Sequence, residues 1–135
     1  MTMEFLSLDL PDSVQRGIQA AGFTTCTPIQ EETLPISLRG RDIAGQAQTG
    51  TGKTAAFLIA IFTRLLREPD RRRKGVAAPR ALVIAPTREL AVQIRDELLA
   101  FSQGLGMYSA LCIGGSNMGR QRSDLRRNPN FVIGT

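Results

Sequence analysis

The sequence predicts an α/β fold, a parallel sheet with helices on both faces, and three observations predict it. Short apolar runs of strand character alternate with segments of helical period. A glycine-rich turn, "GQAQTGTGKT" from Gly45 to Thr54, separates one such run from one such segment. The 135 residues, 42% hydrophobic and 21% charged, are enough to bury one core and too few for two.

In chain order, "PDSVQRGIQAAG" reads as a helix with Pro11 near its start and Gly22 as its stop. "TPIQEETLPISLRG" reads as a second helix, with Thr27 as N-cap, Pro28 at the first position and Gly40 beyond the end. "RDIAGQA" reads as a short strand feeding the glycine-rich turn. "KTAAFLIAIFTRLL" is apolar on nearly every side and is expected to be a deeply buried helix.

The segment "REPDRRRKGVAAP" combines two prolines and a glycine with dense charge, and reads as a surface connection. Its run from Arg71 to Lys74 reads as a solvated loop, with nucleic-acid contact as the alternative. "ALVIAP" is a continuous apolar run of the kind found in strands covered on both faces. In "TRELAVQIRDELLAFSQG", Leu90, Ile94, Leu98 and Phe101 recur at spacings of four, four and three, an amphipathic helix. "YSALCIGG" reads as a strand, "MGRQRSDLRRN" as a helix and "FVIGT" as a last strand. If further strands normally flank that last strand, it is expected to present an unpaired edge and uncovered apolar surface.

No apolar run approaches the ~20 residues of a membrane helix. The opening "MTMEFLSLDLPDS" carries acidic residues and no basic leader, so a cytoplasmic chain is expected. Cys26 and Cys112 stand far apart, suit a reducing compartment and read as packed small hydrophobes. The sequence contains no histidine, which excludes histidine triads and histidine metal sites within these residues. The net charge of +5 is unevenly spread: Met1 to Gly40 holds two basic and five acidic residues, Arg64 to Arg80 seven basic and two acidic. Met118 to Asn128 adds four basic against one acidic. Such a balance favours a polyanionic partner.

A glycine-rich turn between strand and helix aims backbone N–H groups at the positive end of the helix dipole, which suits a phosphate chain. Lys53 adds charge toward the outer phosphates, and the Thr54 hydroxyl can ligate magnesium. Gly50 and Gly52 permit close backbone approach. Base recognition has a candidate in "GFTTCTPIQ". The Gln30 amide pairs a donor with an acceptor, matching the N6 and N7 edge of adenine, and Phe23 can stack on the base. Thr27 and Gln30 are equally the two ends of a capping box, and local pattern alone leaves both readings open.

Taken in order, "GFTTCTPIQ", "AQTGTGKT", "PTRELAVQ" and the pair Gly114–Gly115 resemble the DEAD-box family of ATP-dependent RNA helicases. Ala47 stands where the general phosphate-loop pattern has glycine, a variant typical of helicases. Phe5, seventeen residues before Gly22, matches the isolated upstream aromatic of that family. The resemblance covers essentially the whole chain and looks most like bacterial members. It implies the N-terminal part of a RecA-like domain, with a Q-motif region at 1–40 and phosphate-loop and RNA-facing tracts at 41–135.

It also implies site residues. Phe5, Phe23, Thr25 and Gln30 would serve the adenosine end of ATP. Gln48, Thr49, Gly50, Thr51, Gly52, Lys53, Thr54 and Ala55 would hold its phosphates, with Lys53 and Thr54 catalytic and Thr54 on Mg²⁺. Pro86, Thr87, Arg88 and Gly115 would face the RNA sugar-phosphate backbone. Taken alone, Thr87 and Arg88 fit a phosphate through turn N–H groups and a guanidinium fork, but read more readily as an N-cap and a surface arginine. Implied partners are RNA, a second RecA-like domain, and proteins of RNA processing or degradation.

Cys26 departs from the family's usual proline. The acidic D-E-A-D tract, the serine-alanine-threonine tract and the second domain are not among these residues. Hydrolysis of the family's kind needs those acids and arginines from the second domain, so the 135 residues are expected to bind nucleotide with little turnover. The alternatives are a non-enzymatic RNA- or protein-binding module and a phosphate-loop NTPase of another class.

Overall fold

The computed structural model describes residues 3–73 and 78–135, so Lys74 of the basic run lies outside the described residues. The chain forms two compact units. One comprises Met1–Pro69 with Ala100–Leu105, the other Asp70–Leu99 with Gly106–Thr135. Their boundary at Pro69 and Asp70 falls inside the charged, proline-containing connection.

The first unit is helical. A 3₁₀ turn at Phe5–Ser7 precedes α1 (Asp12–Ala20), α2 (Pro28–Ser37) and α3 (Lys53–Arg67). The punctuation matches the sequence: Pro11 caps α1, Thr27 and Pro28 open α2, and Gly22 and Gly40 take φ of +87° and +85° past the helix ends. Helix α3 packs against α2 and α1, burying Ala55, Ala56, Leu58, Ile59, Phe62, Thr63 and Leu65. Its burial is one-sided, because Arg64, Leu66 and Arg67 stay exposed. Gly17 of α1 lies where a Cβ would come 2.2 Å from the Phe101 carbonyl oxygen, so only glycine permits that backbone approach.

The expected strand over "RDIAGQA" is absent. Residues 41–46 are exposed and irregular. A strand exists only through hydrogen bonds to a neighbour, and the paired strands among the described residues all lie in the other unit.

The second unit carries β1 (Ala81–Ile84), most of α4 (Arg88–Phe101), β2 (Ser109–Cys112), α5 (Met118–Arg126) and β3 (Phe131–Gly134). The sheet is parallel, in the order β1-β3-β2, with Leu82 and Ala110 both in register with Val132. The last strand is therefore the centre of the sheet and is paired on both sides, contrary to the expected free edge.

The edges are β1 and β2, and β1 is not covered on both faces as its apolar run suggested. Val83 is buried, whereas Leu82 and Ile84 are 67% and 73% exposed. Alternation decides this, since successive side chains of a strand point to opposite faces. Phe131 and Ile133 of β3 are fully buried, each stabilising the unit by about 1.5–3 kcal/mol.

Candidate functional site

The glycine-rich turn delivers the chain into α3. Gly50 and Gly52 take φ of +83° and +86°, left-handed backbone that suits glycine. Thr51 Oγ1 donates to the Gln48 carbonyl at 2.6 Å, tightening the turn. Lys53 opens α3 and its ammonium donates to the Ala47 carbonyl, which leaves donors to spare on an exposed side chain. Thr54 is half-buried behind it, Ala55 is buried, and Gln48 and Thr49 are exposed. The first N–H groups of α3 have no partner within the helix, so the turn ends at an anion-favouring terminus.

Gln30 sits at the base of this turn, fully buried. Its Oε1 accepts from the Thr27 N–H at 2.9 Å, the capping role. Its Nε2 donates to the Gly52 carbonyl at 3.1 Å. Of the two readings that local pattern left open, the capping box is formed, and the same residue also grips the turn. A Cβ on Gly52 would come 2.4 Å from Gln30 Nε2, so the contact itself requires glycine. Nothing in the local sequence signals this bond across 22 positions.

Phe23 is half-buried, tilted on Phe101 with ring centroids 5.5 Å apart and met edge-on by Phe5 at 6.5 Å. Phe5 is only 2% exposed. Its ring supports Phe23 from within the core. Exposed Thr25 forms an isolated antiparallel bridge with Glu4. Cys26 is buried, and burial first, then Glu31, pushes its thiol up to about 11. Burial likewise raises the Cys112 thiol, with Asp124 adding to it. Both cysteines are free and chemically quiet.

In the second unit, exposed Pro86, Thr87 and Arg88 form the turn from β1 into α4. Thr87 Oγ1 accepts from the Leu90 N–H at 3.1 Å, the N-cap of α4. Arg88 Nη1 donates to the Gly114 carbonyl at 3.1 Å. Gly115, at φ +77°, lies so close that a Cβ there would come 2.5 Å from Arg88 Nη1. Sequence spacing separates Arg88 from the glycine pair, and the fold brings them together. They line an open groove of about 570 Å³ with Glu89, Val92, Ile113 and Ser116.

The basic run behaves unlike a plain solvated loop. Arg72 pairs with Asp70 at 2.7 Å and donates to the Asn128 and Pro129 carbonyls at 3.1 and 3.0 Å. Arg71 and Arg73 stay exposed. Charge composition alone could not separate this structural arginine from its neighbours.

The parallel sheet and helices define an α/β protein of RecA-like build, with a glycine-rich turn opening a buried helix. The sequence matches the DEAD/DEAH box helicase family over residues 27–135, and the chain belongs to that family. It is 49% identical over 131 residues to the ATP-dependent RNA helicase RhlB of Xanthomonas oryzae pv. oryzae, covering 97% of this chain and 23% of that protein. The Aliivibrio salmonicida RhlB is 45% identical over 132 residues, covering 98% and 30%. The chain therefore spans less than a third of the length of these relatives.

Solved structures agree. A DEAD box protein from the hyperthermophile Methanococcus jannaschii gives a TM-score of 0.83 at 33% identity, over 98% of this chain and 34% of that one. The RNA helicase Prp28 from Chaetomium thermophilum bound to ADP gives 0.87 at 33% identity, over 99% and 32%. No helix among the described residues is long and apolar enough to cross a membrane.

Proposed function

We infer that the chain is the nucleotide-gripping part of an ATP-dependent RNA helicase of the cytoplasm. Gln30 and Phe23 serve adenine, Gly50 to Thr54 serve the phosphates and Mg²⁺, and Pro86, Thr87, Arg88 and Gly115 serve the RNA backbone. The observation that carries this reading is the bond from buried Gln30 to the Gly52 carbonyl. It joins a side chain suited to an adenine edge to the turn suited to phosphates. Gln30 keeps a second N–H and a second lone pair beyond its two bonds, the capacity an N6 and N7 edge requires.

The residues fit ATP and its metal. Left-handed Gly50 and Gly52 shape the turn, α3 presents its positive end, and Lys53 and Thr54 stand at its first two positions. Bound Mg²⁺ supplies charge neutralisation at the outer phosphates, with the Thr54 hydroxyl as its ligand from this chain. The 135 residues contain no D-E-A-D tract, so these residues alone bind ATP and hydrolyse it slowly. The second RecA-like domain of the family is the partner that completes the cycle.

Equilibrium binding of a fluorescent ATP analogue tests this. Lys53→Ala is expected to weaken binding by about 10- to 100-fold, the worth of a charge-assisted hydrogen bond, while leaving the thermal midpoint nearly unchanged. Unlabelled ATP is expected to displace the analogue and GTP to fail. Equal displacement by GTP would sink the adenine assignment.

A further inference from the structure

We propose that the exposed row Met118–Arg122–Arg126 on α5 is a second RNA-backbone contact, carrying the strand onward from the Arg88–Gly115 groove. The proposal rests on the RNA reading above. Helix α5 starts just after the glycine pair, is capped by Asn117 and is tied back to Ile113 by one bond. Asn117 Oδ1 accepts from the Arg120 N–H at 3.0 Å, and Gln121 Nε2 donates to the Ile113 carbonyl at 2.7 Å. Ile113, Gly114 and Gly115 also line the groove, so the helix is anchored to its wall.

Gln121 is the buried residue of α5, and the row runs along one flank of it, turning further from the buried side at each step. Met118, Arg122 and Arg126 follow one another at i, i+4 and i+8, all exposed, with Met118 at 61%. The only acid of α5, Asp124, is half-buried and spaced to face Arg120 and Arg127. Arg122 and Arg126 thus form a like-charged i,i+4 pair, which destabilises a helix. Among the described residues no ion pair relieves either arginine. A bound polyanion would relieve the repulsion. Guanidinium forks suit phosphate oxygens, and the exposed Met118 offers an apolar surface beside them for a base. Continuity with the groove favours an RNA strand over an acidic peptide.

The test is titration of fluorescent single-stranded RNA with the 135-residue chain across a salt series, comparing Arg122→Ala/Arg126→Ala and Arg88→Ala. Two lost phosphate contacts are expected to lower the log–log salt slope by about 1.4, against about 0.7 for Arg88→Ala. Arg122→Glu separates binding from folding, because it replaces the repelling pair with an attractive one. It is expected to raise the thermal midpoint slightly while lowering RNA affinity by at least tenfold. An unchanged slope in the double variant, with Arg88→Ala still weakening binding, overturns the α5 contact and spares the groove. Failure of the unaltered chain to bind RNA overturns both. Preferential capture of a poly-glutamate peptide through these arginines overturns the choice of RNA.

Discussion

Each unit of this protein fastens an irregular segment with one side chain, and the two fastenings are chemically opposite. In the first unit, a neutral glutamine with no exposed surface ties the glycine-rich turn to the start of α2 through Thr27 and Gly52. In the second, a charged arginine, 13% exposed at its side chain, ties residues 70–72 to the Asn128–Pro129 turn. The buried amide has no water to fall back on, so losing it strands polar groups, and salt and acid hardly touch it. The arginine lies nearer solvent, where screening and protonation of its partner carboxylate reach it. Only the neutral fastening also stands at a site suited to ligand.

The comparison breaks hardest at Gly52. Gly52→Ala forces a side chain into left-handed backbone and drives a Cβ to 2.4 Å from Gln30 Nε2. Strain of this kind costs about 1–3 kcal/mol, and the displaced amide adds to it. Chemical denaturation should show that loss, with ATP affinity falling in parallel. A stability within 0.5 kcal/mol of the unaltered chain, on the scale of ordinary surface changes, would show that the turn is not fastened as described. Arg72→Ala should cost less, about 1 kcal/mol, since it removes hydrogen bonds without forcing the backbone into a disfavoured conformation. It should leave ATP affinity unchanged.

Residues whose neighbours lie close in sequence were legible. Pro11, Thr27, Pro28, Gly22 and Gly40 mark helix ends because capping and left-handed exits are decided within a few residues. The stripe of α4 was legible for the same reason, and Ile94, Leu98 and Phe101 are buried as their spacing implied. What failed depended on partners distant in the chain. "RDIAGQA" looks like a strand, yet pairing is not a local property. The same four-residue run that gives β1 cannot reveal that it is an edge strand exposing Leu82 and Ile84. At the candidate site, the residue types were readable, but the Gln30–Gly52 bond and the Arg88–Gly114 bond join separate tracts. The Arg72 fastening was hidden among neighbours of identical charge.

The smallest expected effect is the sharpest test of the charged fastening, because it reads a single group. The Arg72 side chain, by hydrogen bond first, the Arg72 backbone N–H next, hold the Asp70 carboxyl down at about 2, against an ordinary 3.8. A carboxylate with a depressed folded value contributes stability that is full above the unfolded value near 3.8 and is lost as pH falls through about 2. The contact should therefore be intact at neutral pH and loosen only in the window from about 4 to 2. A carbon-detected NMR titration of Asp70 is expected to give a midpoint near 2 in the intact chain and one moved back toward 3.8 in Arg72→Ala. The thermal difference between the intact chain and Asp70→Asn should shrink across the same window. A midpoint near 3.8 in the intact chain would mean that the arginine holds the Asn128–Pro129 turn without Asp70. Insensitivity of the Gln30 fastening over that pH range is the matching expectation, since neither the amide nor its two backbone partners titrates there.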